Sequence, residues 1–204
     1  MQNNNIYSNN KIQKFYKNTE NAPPHKNIIK FLELEKNTGN AIDIGCGAGR
    51  DTVYLIKNNW KVLAIDRENV KETIEEKLSK KELENFKFEC QKFENIKLPK
   101  ADLIISNYSL PFCNKNNFNE LWKRIVESIK ENGYFVGTFF GINDSWINIK
   151  DKMVFLSKDA VLELFNEFEI ISFEEIEKDE KTGLGIMKHW HIYDIIARKA
   201  NKKL

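Results

Sequence analysis

Three glycines that alternate over a short stretch, Gly45, Gly47 and Gly49, form the part of the sequence best suited to bind a ligand. They follow the apolar run AIDI and precede the helical pattern DTVYLIKNN. A strand that leads through a glycine turn into a helix brings backbone N–H groups and the positive end of the helix to one place. The loop therefore predicts the binding of a nucleotide-like cofactor.

An acidic residue lies at the spacing that such a cofactor requires. Asp66 ends the apolar run KVLAID, 66 − 45 = 21 residues after the first glycine. A carboxylate at this position accepts hydrogen bonds from two vicinal ribose hydroxyls. Nicotinamide dinucleotides and adenosyl cofactors both carry such a ribose, so Asp66 indicates an adenosine-like ligand without choosing between the two.

The order of residues in the loop helps to separate these two cofactor classes. The dinucleotide fingerprint is G-x-G-x-x-G, in which a small sixth residue lets the helix pack closely on the strand. Here the order is G-x-G-x-G, and Arg50 stands at the sixth position. An arginine fits poorly there, which disfavours a nicotinamide-dependent oxidoreductase. A tight turn without any ligand is also disfavoured, because three glycines and a correctly spaced acid rarely coincide.

The rest of the sequence alternates between strand and helix patterns. Five strands are predicted at AIDI, KVLAID, FKFEC, ADLIIS and GYFVGTFF, and the helices between them include VKETIEEKLSKKELEN and NFNELWKRIVESIK. This alternation predicts a parallel sheet with helices on both faces. The chain then continues with a helix that Ser157 caps and with two strand patterns, FEIISFEEI and HWHIYDIIARK, which predict an antiparallel hairpin.

The composition is that of one globular domain. The 204 residues are 41% hydrophobic and 30% charged, and we expect a flexible N-terminal tail over residues 1–13 and a single domain over 14–204. Thirty-two basic and 30 acidic residues leave a formal charge of +2, which provides no footprint for nucleic acid. Three separated cysteines and the lack of a signal or membrane-spanning run favour a cytoplasmic protein.

The segment AIDIGCGAGRDT resembles the first motif of the class I S-adenosylmethionine-dependent methyltransferases, hydrophobic-Asp-hydrophobic-Gly-x-Gly-x-Gly. The likeness is closest to the small bacterial methyltransferases of the tellurite-resistance group. It extends from about residue 14 to IIARK and includes FYKNTENAPPHKNI, ISNYSLPFC, FVGTFFGINDSW and KHWHIYDIIARK. The resemblance implies an α/β fold, a Rossmann-like three-layer sandwich. Its seven-stranded, mostly parallel sheet would have one antiparallel strand from a C-terminal hairpin.

The resemblance also implies S-adenosylmethionine as the cofactor and S-adenosylhomocysteine as its product. The residues that it assigns to the cofactor are Tyr16, Asp43, Gly45, Cys46, Gly47, Gly49, Arg50, Asp66, Arg67, Phe93 and Asn107. The glycines would form the turn against the methionine part, where Asp43 holds the loop and the amino group. Asp66 would bind the ribose, Arg67 would cover the adenine, and Tyr16 or Arg50 would hold the cofactor's carboxylate.

One position departs from the pattern of the family. After the third strand the family commonly has an acid that accepts a hydrogen bond from the adenine amino group, and Lys92 stands at that position here. Lysine cannot accept a hydrogen bond. Gln91, Glu94 or a backbone carbonyl could replace the acid, while Phe93 could still pack against the adenine ring.

The residues that could take part in methyl transfer lie in two places. The resemblance places Asn107 and Tyr108, at the end of the fourth strand, close to the methyl-bearing sulfur. A hydroxyl or protonated amine acceptor would need a general base. His189 and His191 project to the same face of a strand and are candidates, with a purely structural pair as the alternative. We expect no metal site, since His25 is far away in sequence and no third ligand accompanies the pair.

Aromatic residues close to predicted strand ends favour a small acceptor. These residues are Phe15, Tyr16, Tyr108, Phe112, Phe139, Phe140 and Trp146. Such a pocket would hold an apolar molecule and attract a sulfonium by cation–π contact. We expect a small-molecule methyl acceptor and no nucleic-acid or membrane partner, because SNYSLPFC lacks the paired prolines typical of enzymes that methylate base amino groups. A cofactor-binding sensor or scaffold without turnover is the alternative outside enzymology.

Overall fold

The computed structural model describes residues 3–149 and 152–200, with side chains described from residue 10 onwards. The strands are β1 (Asn40–Ile44), β2 (Lys61–Asp66), β3 (Phe86–Cys90), β4 (Ala101–Ser106), β5 (Ile129–Phe140), β6 (Phe168–Lys181) and β7 (Met187–Lys199). The α-helices are α1 (Asn3–Thr19), α2 (Lys26–Leu34), α3 (Arg50–Lys57), α4 (Lys71–Glu75), α5 (Phe118–Ser128) and α6 (Lys158–Leu164). Short 3₁₀ helices cover Glu82–Asn85, Phe93–Asn95, Leu110–Phe112 and Ser145–Asn148.

The seven strands form one sheet in the order β3-β2-β1-β4-β5-β7-β6. Strands β1 to β5 pair in parallel, while β7 is antiparallel to both β5 and β6. Strand β7 is therefore the single strand that runs against the others, which confirms the predicted fold class. The strand order reverses between β1 and β4, and open α/β sheets bind ligands at the carboxyl ends of the strands beside such a point.

Helices cover both faces of the sheet, because the central strands project apolar side chains from each face. On β4, Leu103 and Ile105 belong to the core under α2 and α3, while Ile104 belongs to the core under α5 and α6. In the second core, the Trp122 ring lies 5.1 Å from that of Phe135, measured between ring centroids. Both faces of β4 are thus buried, as expected of a central parallel strand.

The charge-rich segment VKETIEEKLSKKELEN does not form the single helix that its pattern predicts. It contains α4 and, after a break, the 3₁₀ helix Glu82–Asn85. At the break the Ser79 N–H donates to the Glu82 carboxylate over 2.7 Å, and the Glu82 N–H donates to Ser79 Oγ over 3.3 Å. This reciprocal pair is a capping box, which begins a new turn and so ends the preceding helix.

The N-terminal segment contains more structure than its sequence suggested. Helix α1 begins at Asn3, within the segment predicted as a tail over residues 1–13. The division between tail and domain therefore remains a prediction, whereas the helical conformation of residues 3–13 is a finding. Within residues 3–149 and 152–200, no helix combines the length and the apolarity needed to cross a bilayer.

Candidate active site

The glycine loop joins β1 to α3 through a backbone that other residues could hardly adopt. Gly45, Gly47 and Gly49 have φ angles of 76°, 53° and 80°, in the left-handed region that favours glycine. A Cβ atom at Gly45 would overlap the Ser109 hydroxyl, and one at Gly49 would overlap the Ile74 side chain. Packing within the protein thus explains two of the three glycines.

Asp66 lies at the carboxyl end of β2, beside the glycine loop, and is only 5% exposed. Its Oδ2 atom accepts a hydrogen bond from the Gly47 N–H over 2.9 Å. Its Oδ1 atom accepts from the Tyr16 hydroxyl and from the Glu68 N–H, each over 2.9 Å. Tyr16 was expected at the cofactor's carboxylate, but its hydroxyl is bonded to the side chain expected to hold the ribose. Burial raises the pKa of Tyr16, so the hydroxyl remains a donor.

The carboxyl-terminal end of α1 lies across the glycine loop. The Asn18 amide donates to the carbonyl oxygen of Gly183, in the turn between β6 and β7, over 2.8 Å. Close to the other side of the loop, Lys77 Nζ donates to the carbonyl oxygens of Glu20 and Ala48 over 2.7 and 2.9 Å. Together with the bond from Tyr16 to Asp66, these contacts hold α1 as a cover over the loop.

Two side chains inside the loop region are buried, and their surroundings favour the uncharged form of each. Asp43 is 3% exposed, and its Oδ2 atom accepts from the Thr52 hydroxyl over 2.6 Å. Burial and the neighbouring Asp51 carboxylate raise the pKa of Asp43 to about 8. Burial, followed by the nearby Asp43 and Asp66 carboxylates, also raises the pKa of the Cys46 thiol. Cys46 therefore lies in the loop as an uncharged thiol and not as a nucleophile.

A histidine for which the sequence indicated no role, His25, orders the start of α3. His25 Nδ1 lies 2.6 Å from the Asp51 carboxylate, which also accepts from the His25 backbone N–H over 2.9 Å. Although burial opposes the effect, the hydrogen bonds from His25 lower the pKa of Asp51, which is therefore an ionised acceptor. Since Nδ1 donates to this carboxylate, Nε2 is the acceptor that faces the guanidinium of Arg50. His25 and Asp51 thus hold Arg50 beside the glycine loop.

A second buried hydrogen-bond network connects the ends of β4 and β5. The Asn107 amide donates to Asp51 over 2.8 Å, and its oxygen accepts from the Asn27 amide over 2.6 Å. The Thr138 hydroxyl lies 3.1 Å from this Asn107 oxygen and 2.7 Å from the Asp194 carboxylate on β7. These bonds fix Asn107 at the strand end where the resemblance placed it.

Tyr108 follows Asn107 with a φ angle of 52°, which is rare for a residue with a side chain. Such backbone strain concentrates at functional sites, where the surrounding structure holds it. The Tyr108 ring stacks on the His25 imidazole, with 5.1 Å between centroids and 21° between planes. It also meets the rings of Phe140 and Trp190 edge to face, at 6.1 and 5.8 Å. We call Tyr108, Phe140 and Trp190 the aromatic wall.

A buried ion pair lies against this aromatic wall. Lys188 Nζ contacts the Asp144 carboxylate, and the two side chains are 1% and 0% exposed. The same ammonium lies 3.6 Å from the ring centroid of Trp190, 4.5 Å from that of Trp146 and 4.8 Å from that of Phe140. Burial lowers the pKa of Lys188, and the bonded Asp144 carboxylate acts in the opposite direction. Lys188, Trp190 and Asp194 were not predicted as site residues from the sequence. They lie an even number of residues apart on β7, and this spacing indicates that they share one face of the strand.

The two histidines of β7 are turned away from this wall. His189 lies between the Glu177 and Asp179 carboxylates of β6, at 3.0 and 2.9 Å. His191 Nε2 lies 3.1 Å from the Glu175 carboxylate. Neighbouring side chains of a strand project to opposite faces, so these imidazoles lie on the face opposite to the intervening Trp190. The structure thus places both histidines on the face of β7 that is opposite to the aromatic wall, and their part in methyl transfer stays a prediction.

The residues expected around the adenine lie at the ends of β2 and β3. Arg67 is mostly exposed, and its Nε atom lies 3.6 Å from the Glu68 carboxylate. Phe93 begins a 3₁₀ helix, and its ring edge would be 3.8 Å from a Cβ atom at Gly45. Gln91 is anchored by its N–H, which donates to the Asp66 carbonyl oxygen over 2.8 Å. Its side-chain oxygen is buried and has no hydrogen-bond partner among the described residues.

Two of the aromatic residues expected at the pocket lie elsewhere. Phe139 is buried under α5, 5.7 Å from the Trp122 ring and on the face of the sheet opposite to the aromatic wall. Phe15 is 40% exposed on α1, where it packs on Gly183. Phe112 and Trp146 do extend the wall, since both rings lie within 6.3 Å of Phe140.

The structure combines a glycine loop, a following strand that ends in an acid, and a seventh strand that is antiparallel to its neighbours. Together these features define a Rossmann-like enzyme with a site for a nucleoside-type cofactor. The sequence model of the family described as "Methyltransferase domain" matches residues 35–182. The chain belongs to this methyltransferase family, which confirms the class implied by the AIDIGCGAGRDT motif. No curated protein matches the sequence.

Solved structures with low sequence identity share the fold. TehB from Haemophilus influenzae is 19% identical with a TM-score of 0.69, over 86% of this chain and 62% of that chain. The 1,6-didemethyltoxoflavin-N1-methyltransferase of Burkholderia thailandensis, with bound S-adenosylhomocysteine, is 16% identical with a TM-score of 0.66, over 86% and 77%. The N-methyltransferase NodS of Bradyrhizobium japonicum, in complex with S-adenosyl-L-homocysteine, is 13% identical with a TM-score of 0.63, over 89% and 90%. The chain thus spans less than two thirds of the length of TehB.

Proposed function

We propose that this methyltransferase uses S-adenosylmethionine to methylate a small-molecule acceptor. The observation that carries the proposal is the buried Asp66 carboxylate, which lies against the Gly47 N–H beside the point where the strand order reverses. A ribose-binding acid and a glycine turn meet there as an adenosyl cofactor requires. Two structural relatives with this fold were solved with S-adenosylhomocysteine, which supports the same cofactor here.

The residues around the loop fit the adenosine part of this cofactor. We assign the ribose hydroxyls to Asp66 and one face of the adenine to Phe93, whose ring edge lies close to Gly45. The buried Gln91 Oε1, which lacks a partner among the described residues, is an acceptor suited to the adenine amino group. Gln91 would then take the role of the family's acid, at whose position this chain has Lys92.

The methionine part of the cofactor would lie between the glycine loop and the start of α3. Arg50 is the cation for its carboxylate, since His25 and Asp51 hold the guanidinium beside the loop. Asp43 keeps the loop in place through Thr52 and lies at the position that the family uses for the amino group. Arg50 is the only arginine of α3, the helix that follows the loop.

When bound, S-adenosylmethionine supplies an electrophilic methyl group on a sulfonium. This chain contributes orientation and exclusion of water, which are the main requirements of an in-line displacement on carbon. Asn107 and the stacked pair of Tyr108 and His25 fix one side of the site. The aromatic wall provides the apolar surface on which a small acceptor would lie, and its rings can stabilise positive charge.

The first experiment is isothermal titration calorimetry of the purified protein with S-adenosylhomocysteine, with NADH as the control ligand. We expect binding of S-adenosylhomocysteine alone. Binding of NADH alone would contradict the proposal and favour an oxidoreductase. Binding of S-adenosylhomocysteine without turnover of any small acceptor by S-adenosylmethionine would favour the sensor or scaffold.

The hydrogen bond from Tyr16 leads to a second expectation about the cofactor. A carboxylate offers about four lone-pair sites, and Asp66 already accepts from Tyr16, Glu68 and Gly47. Two ribose hydroxyls need two sites, so the Tyr16 hydroxyl must release Asp66. We expect Tyr16→Phe to bind S-adenosylhomocysteine about two- to tenfold more tightly, because an intramolecular hydrogen bond is worth about 0.5–1.5 kcal/mol.

Calorimetry measures this affinity, and stopped-flow tryptophan fluorescence measures the association rate. The matched control is Tyr134→Phe, which removes a hydroxyl that donates to Glu35 over 3.0 Å and should leave the affinity unchanged. Weaker binding by Tyr16→Phe would show that the hydroxyl contacts the cofactor directly instead of competing with it.

We also propose that the protein acts in the cytoplasm on a free small molecule. Cys46, Cys90 and Cys113 are all free thiols within the described residues, as expected in a reducing compartment. The formal charge of +2 supports a partner other than nucleic acid.

A further inference from the structure

Two carboxylates lie beside the aromatic wall, and one of them is paired with a cation while the other is not. Asp144 is paired with the Lys188 ammonium. Asp194, on the same face of β7 as Lys188, is half-buried beside Thr138, whose hydroxyl at 2.7 Å is the one side-chain hydrogen-bond partner described for it. Among residues 10–149 and 152–200, whose side chains the structure describes, no lysine, arginine or histidine nitrogen lies within 4.0 Å of this carboxylate.

A half-buried carboxylate without a cation is costly, and several charges act on this one from further away. Burial raises the pKa of Asp194, and the Glu174 carboxylate acts in the same direction from the neighbouring strand β6. The Thr138 hydrogen bond, His25 and Lys178 act in the opposite direction. Since Lys178 does not contact Asp194 and the His25 imidazole is bonded to Asp51 and Arg50, a bound cation would stabilise the charge of Asp194.

Asp194 lies within reach of the proposed methyl-transfer site. The Thr138 hydroxyl connects it to the Asn107 side chain, which precedes Tyr108. Asp194 is also close enough to Tyr108 to raise the pKa of that phenol, after the larger effect of burial. The carboxylate and the aromatic wall therefore surround the same region at the carboxyl ends of β4 and β5.

The protein itself shows that this wall can hold an ammonium group. Lys188 Nζ lies over the rings of Trp190, Trp146 and Phe140, and its charge is balanced by Asp144. Aromatic faces combined with a carboxylate are the usual chemistry of ammonium recognition. Asp194 is the corresponding carboxylate on the side of Trp190 that faces Tyr108. No cationic side chain among the described residues is paired with it.

We propose that the methyl acceptor is an amine, bound as its ammonium ion with Asp194 as counter-ion and Tyr108 and Trp190 as aromatic walls. This inference rests on the proposed function and adds the class of acceptor. In this arrangement Asp194 is also the acceptor for a proton of the bound ammonium ion. Transfer of one N–H proton from the bound ammonium to the carboxylate yields a neutral amine with a free lone pair and a neutral Asp194, from which the proton passes to water.

The test is calorimetric binding of two probes to the complex with S-adenosylhomocysteine. Phenethylammonium carries the charge, and 2-phenylethanol is its neutral counterpart. We expect the ammonium to bind at least tenfold more tightly than the alcohol. We expect Asp194→Asn to remove this preference and Asp194→Glu to retain it. Equal affinities of the two probes for the wild-type protein would overturn the proposal, and this comparison requires no variant.

The matched control is Glu174→Gln, which removes a negative charge from the exposed position opposite Asp194 on β6 and should change the preference less than twofold. A cofactor role for Asp194 is tested by titrating Asp194→Asn with both S-adenosylmethionine and S-adenosylhomocysteine. If the variant loses affinity for the sulfonium form alone, Asp194 pairs with the cofactor, and the proposal fails. If the wild-type protein binds phenethylammonium but not S-adenosylhomocysteine, the proposed cofactor fails while Asp194 still accounts for the ammonium site.

Discussion

Replacement of Asp66 by alanine is expected to weaken the binding of S-adenosylhomocysteine about 100-fold or more. Asp66 is almost fully buried, and the proposed contact consists of two ribose hydroxyls that donate to one ionised carboxylate. Hydrogen bonds to a charged group contribute about 1.5–3 kcal/mol each, and about 1.4 kcal/mol corresponds to a factor of ten in affinity. The dissociation constant from isothermal titration calorimetry at fixed pH and salt tests this expectation.

Two further variants separate ligand binding from damage to the loop, because Asp66 also accepts from Gly47. Asp66→Asn keeps the shape and one acceptor oxygen, and we expect an intermediate loss of about tenfold. Asp102→Ala removes another acid of the parallel sheet, at the start of β4, where it pairs with Lys130 over 2.9 Å, and should leave the affinity unchanged. Unchanged binding by a folded Asp66→Ala protein would mean that the ribose is held elsewhere.

The sequence predicted the strands of this fold well, because each strand carries its own local signal. KVLAID, FKFEC and ADLIIS coincide with β2, β3 and β4 in the structure. Buried parallel strands are short apolar runs between turn residues, and this pattern does not depend on distant parts of the chain. The helices were predicted less well. The reciprocal hydrogen bonds of Ser79 and Glu82 interrupt a segment whose composition favours a continuous helix.

The candidate site was predictable where one short motif contains the residues and unpredictable where distant residues meet. The glycine loop and Asp66 follow from spacing along one strand–helix–strand unit. The contact between His25 and Asp51 joins positions 26 residues apart, and that between Thr138 and Asp194 joins positions 56 apart. Nothing in the local sequence indicates either pairing, since both depend on how the strands and α2 are arranged in space.

Strand β7 shows a related difficulty within a single motif. Alternation along KHWHIYDIIARK predicts that the two histidines share a face, but alternation alone does not say which face borders the site. The structure turns His189 and His191 toward the carboxylates of β6. On the other face, Trp190 contacts Tyr108 and Asp194 contacts Thr138. The choice of the two histidines as candidate bases therefore rested on their chemistry and on a shared face, and the sequence did not indicate where that face lies relative to the aromatic wall.

Removal of one partner of the Asp144–Lys188 pair is expected to destabilise the protein by about 3–5 kcal/mol, because an uncompensated charge would remain buried. Both side chains are almost completely buried, and the ammonium lies among three aromatic rings. We expect this loss for Asp144→Asn, in which the side-chain oxygen can still accept from the Trp146 N–H as Asp144 does over 3.0 Å. Lys188→Met, which keeps the length of the side chain, should cost a similar amount.

The double variant Asp144→Asn/Lys188→Met distinguishes a coupled pair from two independent contacts. Replacement of both charges removes the desolvation cost together with the attraction, so we expect its free energy of unfolding to lie within about 1 kcal/mol of the wild-type value. Urea denaturation of all four proteins gives the coupling energy of the cycle. The exposed pair of Lys158 and Glu175, at 2.9 Å, is the control and should give a coupling below about 1 kcal/mol. Additive losses at Asp144 and Lys188 would mean that the aromatic rings, and not the carboxylate, hold the ammonium beneath Trp190.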